Sequence, residues 1–380
     1  MPNKWSGWSD SNRRPLAPHK STLLSLRISQ CISLKLFIPE SVPRCKRLSV
    51  GVVVLFVVLI HQYNDAHVPP SHTEYQELTM PWVLIALLSG GITSLVSISD
   101  KTVIYRYAKT PLTLPLLIGM AQTTVGIFTL TITGVPDGAD IAPSLLALVS
   151  GVFFGFSGIL SQRVLYTHEV SRTIPVTQSS PIFAAILALA ILNEAITPLQ
   201  WLGIITTVVG STLISLRTDE LSRNIFLDNS FYLLMLSAFF FGVASVIGKL
   251  ALDELPLVFT HGLRMLALGI IFLIFNLRPE PWFDVKRFFK ERSPALLFVS
   301  TNEFITANVG LITFLWALSI GPASLVSAVF GTRALFVVLY SLCIATIWKG
   351  ALGEETSPST MLNKVFSASL IVGGVAAVAI

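Results

Sequence analysis

From residue 80 onward, hydrophobic positions come in long runs rather than in strict alternation. A membrane-spanning helix needs about 20 mostly apolar residues. Runs of roughly that length cover about 82–104, 112–134, 144–165, 174–193, 199–216, 230–250, 257–277, 295–318, 322–347 and 362–380. The linkers between them are short and often carry Pro or Gly, as in Val135-Pro-Asp-Gly138, Ile196-Thr-Pro198 and Ile320-Gly-Pro322. The pattern predicts an all-α integral membrane protein with ten transmembrane helices. It also repeats. Glu194-Ala-Ile-Thr197-Pro198 separates the fourth and fifth runs, and Glu354-Glu-Thr-Ser357-Pro358 separates the ninth and tenth. Two related bundles joined in this way suit alternating movement around a shared site.

Composition sharpens the class. Only 12% of residues are charged, against about a quarter in a soluble domain, so no separate soluble domain fits between 80 and 380. The net charge of +5 bears on orientation rather than on nucleic acid. Cys31, Cys45 and Cys343 have no metal-type spacing and form no disulfide framework. No Walker loop, GxSxG elbow, HExxH or dinucleotide-binding glycine pattern is found, which argues against ATPases and hydrolases built on those motifs. No cofactor and no metal are expected, and the chain does not read as an enzyme.

Residues 1–79 break the pattern. A basic, Ser-rich stretch to about 48 precedes the apolar run Val50–Ile60 and a polar segment. Three readings stand: a signal or anchor segment, a transit peptide, or an extension upstream of a true start at Met80.

Basic residues are asymmetric. Numbering loops by the span they follow, those after odd spans, with their span ends, carry fourteen lysines and arginines, among them Lys101, Arg163, Arg278, Lys286, Arg287, Lys290 and Lys349. The even loops carry only Lys249. The positive-inside rule then places the odd loops in the cytoplasm and the C-terminus outside. Five spans per half is an odd number, so the second repeat must be inverted relative to the first. The domains read as 1–79, a first repeat at 80–217, a linker at 218–229 and a second repeat at 230–380.

Pro181, Glu194, Gln200-x-x-Gly203 and Gly210 together resemble the EamA repeat of the drug/metabolite transporter superfamily. The second repeat departs from that pattern, with Arg333 where Pro181 stands and no Gln-x-x-Gly. The resemblance implies two inverted five-helix repeats around a central cavity, and gradient-driven transport of small polar metabolites by alternating access. The expected partners are a small-molecule substrate, the lipid bilayer and a second copy of the chain in a homodimer, with no nucleic acid. The expected localisation is multi-pass, in a cell, inner or organelle membrane. The family is drawn with both termini in the cytoplasm, which differs from the charge count here.

Candidate site residues follow from depth. An ionisable group in the bilayer costs about 2.5–3.5 kcal/mol on insertion scales and is a functional hypothesis by default. Glu303 lies nine residues beyond Pro294, roughly 13 Å into the membrane, and Arg333 eleven beyond Pro322, roughly 16 Å from the opposite face. The two therefore match in depth, either as a structural ion pair or as a substrate site in which Arg333 anchors an anion and Glu303 is its partner or the proton-coupling group. Arg264 either joins the cavity, with His261 nearer its mouth, or snorkels toward headgroups. Gln122, Asn302 and Thr306 are polar interruptions that read as helix glue or substrate contacts. Gln178, Ser179 and Ser180 precede Pro181, which would free backbone carbonyls inside a helix to line a cavity. The carboxylates Glu194 and Glu354 read as structural, each at the start of the helix that follows.

An alternative function is an intramembrane enzyme acting on a lipid-linked substrate, with loop 278–294 its only candidate platform. That loop reads as a solvated, interfacial basic segment. A non-transporting scaffold is a further alternative.

Overall fold

The structure, a computed structural model, describes residues 81–106, 110, 112–167, 176–215, 229–347 and 358–379, all within one compact unit, Val57–Ile380. The extension 1–79, most of the linker 218–229 and the motif Glu354–Ser357 lie outside the described residues. Among those described, every element is helical.

The first half contributes α1 (Pro81–Arg106), α2 (Thr113–Thr133), α3 (Ile141–Thr167), α4 (Ser180–Leu187, continued by a π-helical turn Ala188–Leu192) and α5 (Pro198–Ser215). The second half contributes α6 (Asn229–Leu252), α7 (Leu257–Asn276), α8 (Pro279–Lys290), α9 (Pro294–Thr301), a π-helical turn Asn302–Thr306, α10 (Ala307–Ile320), α11 (Ala323–Phe330), α12 (Arg333–Ile347) and α13 (Pro358–Ala379).

Local chemistry sets many of the ends. Proline opens α1, α5, α8, α9 and α13, where its missing N–H leaves no intrahelical bond unmade. Thr197 and Gln200 form a reciprocal capping box on α5: the Thr197 N–H donates to Gln200 Oε1 at 3.0 Å and the Gln200 N–H to Thr197 Oγ1 at 3.3 Å. Gly134, at φ 64°, stops α2, a backbone conformation that glycine adopts without strain.

Seven of the described helices are long and apolar enough to cross a bilayer, and Ser180–Leu192 and Val365–Ala379 are shorter apolar helices. Ten spans are therefore not all met by length and apolarity among the described residues, and two of the spans are irregular. The eighth run splits at the π-helical turn Asn302–Thr306, and the ninth at Gly331–Thr332, where tight i→i+3 bonds join α11 to α12. Segment 278–294, expected as a solvated loop, instead folds mostly as the amphipathic α8. Pro281, Asp284, Val285 and Phe288 recur on one face and are buried. Asp284 is satisfied there by the Thr113 hydroxyl at 2.8 Å and the Arg287 guanidinium at 2.7 Å, so its charge is no obstacle to burial.

Helix packing is largely preserved when the two halves are exchanged. α2 packs on α7 and α5 on α13, each helix against its own counterpart. α3 packs on α6 as α10 packs on α1, and α4 meets α6 as α11 and α12 meet α1. Small residues allow the self-paired crossings: a Cβ on Gly126 would lie 2.5 Å from the Leu266 nitrogen, and one on Gly203 2.7 Å from the Gly374 carbonyl. The exchange fails most at the contact of α3 with α7. α3 lies closely along α7, whereas its counterpart α9–α10 meets α2 mainly around the π-helical turn. The site is built there.

Candidate functional site

A cavity of about 150 Å³ lies in the bundle, lined by residues from α1, α2, α3, α7, the π-helical turn, α10 and α12. Its walls are mostly apolar, from Ile118, Phe154, Leu268, Phe272 and Leu311, and its polar groups converge from three directions: Asp100 on α1, Gln122 on α2 and Glu303 with Arg333 from the second half.

Helix arithmetic explains the convergence. Gln122 is nine residues into α2 and Glu303 nine beyond Pro294, each roughly 13 Å along its helix, and the two meet. Gln122 Nε2 donates to Glu303 Oε2 at 3.1 Å and to the Glu303 carbonyl at 3.2 Å. That carbonyl is available because the π-helical turn widens the backbone spiral; it also accepts from Asn308 Nδ2 at 2.5 Å. The Asn302 amide joins two acids, donating to Asp100 Oδ1 at 2.8 Å and to Glu303 Oε1 at 3.0 Å. One amide nitrogen thus holds the Asp100 and Glu303 carboxyls side by side. Asp100, Gln122, Asn302 and Glu303 are all buried. Among the described residues, Gln122 Oε1 and Asn302 Oδ1 have no donor.

Arg333 begins α12 just after the Gly331–Thr332 turn. Its guanidinium donates to Ser97 Oγ on α1, and Ser94 Oγ donates to its carbonyl at 2.9 Å. Gly90 makes room for this approach, since a Cβ there would stand 3.3 Å from Thr332 Oγ1. Among the described residues Arg333 makes no direct salt bridge. It and Asp100 attract across the cavity.

Glu303, Arg333 and Gln122 line this cavity, and Asn302 holds its acids together. The expected direct pairing of Glu303 with Arg333 is replaced by Glu303 beside Asp100, with Arg333 on Ser97. Thr306 points elsewhere, bonding the Thr301 carbonyl at 3.4 Å near the surface. Arg264 is buried between α3 and α7 with its guanidinium 5.6 Å from the Phe154 ring centre, and it neither snorkels nor lines the cavity. His261 Nε2 bonds Asn308 Oδ1 at 3.1 Å, linking α7 to the same polar belt. Gln178, Ser179 and Ser180 stand apart. Ser179 Oγ donates to the Val176 carbonyl at 2.6 Å and reaches Met235 Sδ on α6. Pro181 occupies the first turn of α4 rather than a helix interior, so it frees no carbonyl at depth.

Asp100 is the residue that sequence reasoning missed. It precedes Lys101 near the end of the first apolar run and reads there as a boundary charge. Counting back six residues from Arg106, roughly 9 Å along α1, is the signal that places it inside. Glu194 also differs from expectation. Thr197 and Gln200 cap the following helix, α5, while the Glu194 carboxylate crosses to the other half and caps α11. It accepts from the Ala323 and Ser324 N–H groups at 2.6 and 3.1 Å and from Ser324 Oγ at 2.5 Å.

One solved crystal structure of a protein matches with a TM-score of 0.58 and 16% sequence identity, over 79% of this chain and 95% of its own. At that identity the likeness concerns the fold alone. No curated protein matches the sequence. The model of the EamA-like transporter family matches residues 78–216 and again 229–379, one match in each half. With both halves matched, the chain belongs to the EamA-like transporter family.

Proposed function

We propose that the protein is a secondary transporter of small polar metabolites, working by alternating access between two inverted repeats. The observation that carries the reading is the shared cavity. Asp100 and Gln122 come from one half, Glu303 and Arg333 from the other, and the walls around them are apolar. Polar groups at this depth are costly to bury, and among the described residues two side-chain carbonyl oxygens here have no donor. A substrate with hydrogen-bond donors would satisfy Gln122 Oε1 and Asn302 Oδ1, and an acceptor or anionic group on it would meet Arg333. Gln178, Ser179, Ser180, Thr306 and Arg264, also candidates from the sequence, do not line this cavity.

The membrane is the solvent and the small molecule the cargo. The family is one of transporters, and transport rather than catalysis is the activity assigned. The test is metabolite uptake and efflux in cells with and without the protein, with the double replacement Glu303→Gln and Arg333→Gln as the control. The double variant is expected to reach the membrane at normal levels and to move no cargo. Full transport by a well-expressed double variant would overturn the role of the cavity.

A further inference from the structure

The geometry points to a proton-binding site shared by the Asp100 and Glu303 carboxyls, whose loading and release couple the movement of cargo to a proton gradient. The inference rests on the transport reading above and adds the coupling ion.

The argument is a count of donors and charges. Two carboxyl groups from different elements share one amide nitrogen inside the bundle: Asn302 Nδ2 lies 2.8 Å from Asp100 Oδ1 and 3.0 Å from Glu303 Oε1. Ionised carboxylates are acceptors only, so a direct bond between two held this close forms only when one proton is present. The other donors are already assigned. Asn302 Nδ2 serves Asp100 Oδ1 and Glu303 Oε1, and Gln122 Nε2 serves Glu303 Oε2. These neutral amides hold the two acids side by side without neutralising either. Two ionised carboxylates at such range repel strongly, and sharing one proton is the usual resolution.

The surroundings fit one proton rather than none or two. Arg333 lines the same cavity from α12, held on Ser97, and its positive charge offsets one of the two negative charges. α2 brings only the amide of Gln122 to the pair. From α7, His261 reaches the Glu303 backbone only through Asn308, and Arg264 stands beyond, against Phe154. With one proton on the pair, the acids and Arg333 sum to zero. With that proton removed the group carries −1, a state that favours an opening to water or a cationic cargo group.

The step is simple. A proton from the aqueous side binds one carboxylate oxygen, and the new O–H donates to the oxygen of the other carboxyl. Its loss to the opposite side restores two carboxylates. No other bond forms or breaks.

The test is infrared difference spectroscopy on the full-length protein in lipid nanodiscs, titrated across the neutral range without cargo. The expected result is one protonated-carboxyl stretching band that shifts in heavy water, titrates as a single proton, and is absent from both Asp100→Asn and Glu303→Gln. Absence of the band from the unaltered protein overturns the proposal, a result that needs no variant to fold. Survival of the band in either variant also overturns it, because a single carboxyl would then hold the proton alone. Loss of the band when sodium chloride replaces choline chloride at constant pH overturns it in favour of a sodium site. The transport reading is judged separately in proteoliposomes under an imposed pH gradient. A band with no cargo movement refutes transport and leaves the shared proton. Cargo movement indifferent to the gradient, with no band, does the reverse.

Discussion

Asn302 is the residue on which the arrangement of the site turns. One amide nitrogen spans carboxyls from α1 and the π-helical turn. Removing it leaves buried acceptors short of a donor, which costs about 1–3 kcal/mol. Asn302→Ala is expected to lower thermal stability by an amount in that range, measured by unfolding in detergent, and Asn302→Asp to lower it further by bringing a third acid to the pair. Equal stability in all three proteins would show that the bridge is not structural. At this scale the sequence was half legible. Glu303 and Arg333 stood out as lone charges in apolar runs, and counting turns gave their depth. Their partners did not stand out. Asp100 sits beside Lys101 in a stretch that reads as a helix end, and which acid an amide will bridge depends on rotation about helices that periodicity alone does not set.

Among the elements, the link between halves is made by Glu194. Its carboxylate takes three donors at the start of α11, where negative charge is also favoured by the helix dipole. Losing such a cap costs about 0.5–2 kcal/mol. Glu194→Ala is expected to lose stability in that range, and Glu194→Gln to lose less, because the amide oxygen still accepts. The check is thermal unfolding of both variants beside the parent. The sequence marked Glu194 as a structural carboxylate but pointed to the wrong helix. The capping box of Thr197 and Gln200 already serves α5, so Glu194 is left to reach across. The reason α8 was hidden is similar. Dense Lys and Arg suggest solvation, but Pro281, Val285 and Phe288 recur on one helical face, and Asp284 is buried beside them because Arg287 and Thr113, the latter from a helix distant in sequence, both meet it. Pro181 reads as an interior kink only if the fourth helix begins well before it, and α4 begins at Ser180.

For the whole molecule, the informative feature is the largest contact that does not survive exchange of the halves. α3 lies close along α7, and its counterpart pair, α9–α10 with α2, does not pack in the same way. A transporter made of two equivalent halves reaches its opposite state when the halves trade conformations. On that reading the α3–α7 contact must loosen during the cycle while the α2 contact with α9–α10 tightens. A covalent tie across α3 and α7 then holds the molecule in the state described here. Gly155 and Ile271 are suited to it, since a Cβ on Gly155 would stand 3.0 Å from the Ile271 Cβ, and a disulfide needs about 3.5–4.5 Å, reached by a small outward shift. With Cys31, Cys45 and Cys343 replaced by serine, Gly155→Cys with Ile271→Cys is expected to cross-link on mild oxidation, to stop transport while oxidised, and to recover on reduction. Each single-cysteine variant should transport under both conditions. Efficient cross-linking with undiminished transport would mean that α3 and α7 move as one body, and that the unequal packing is a fixed difference between the halves rather than one side of a cycle.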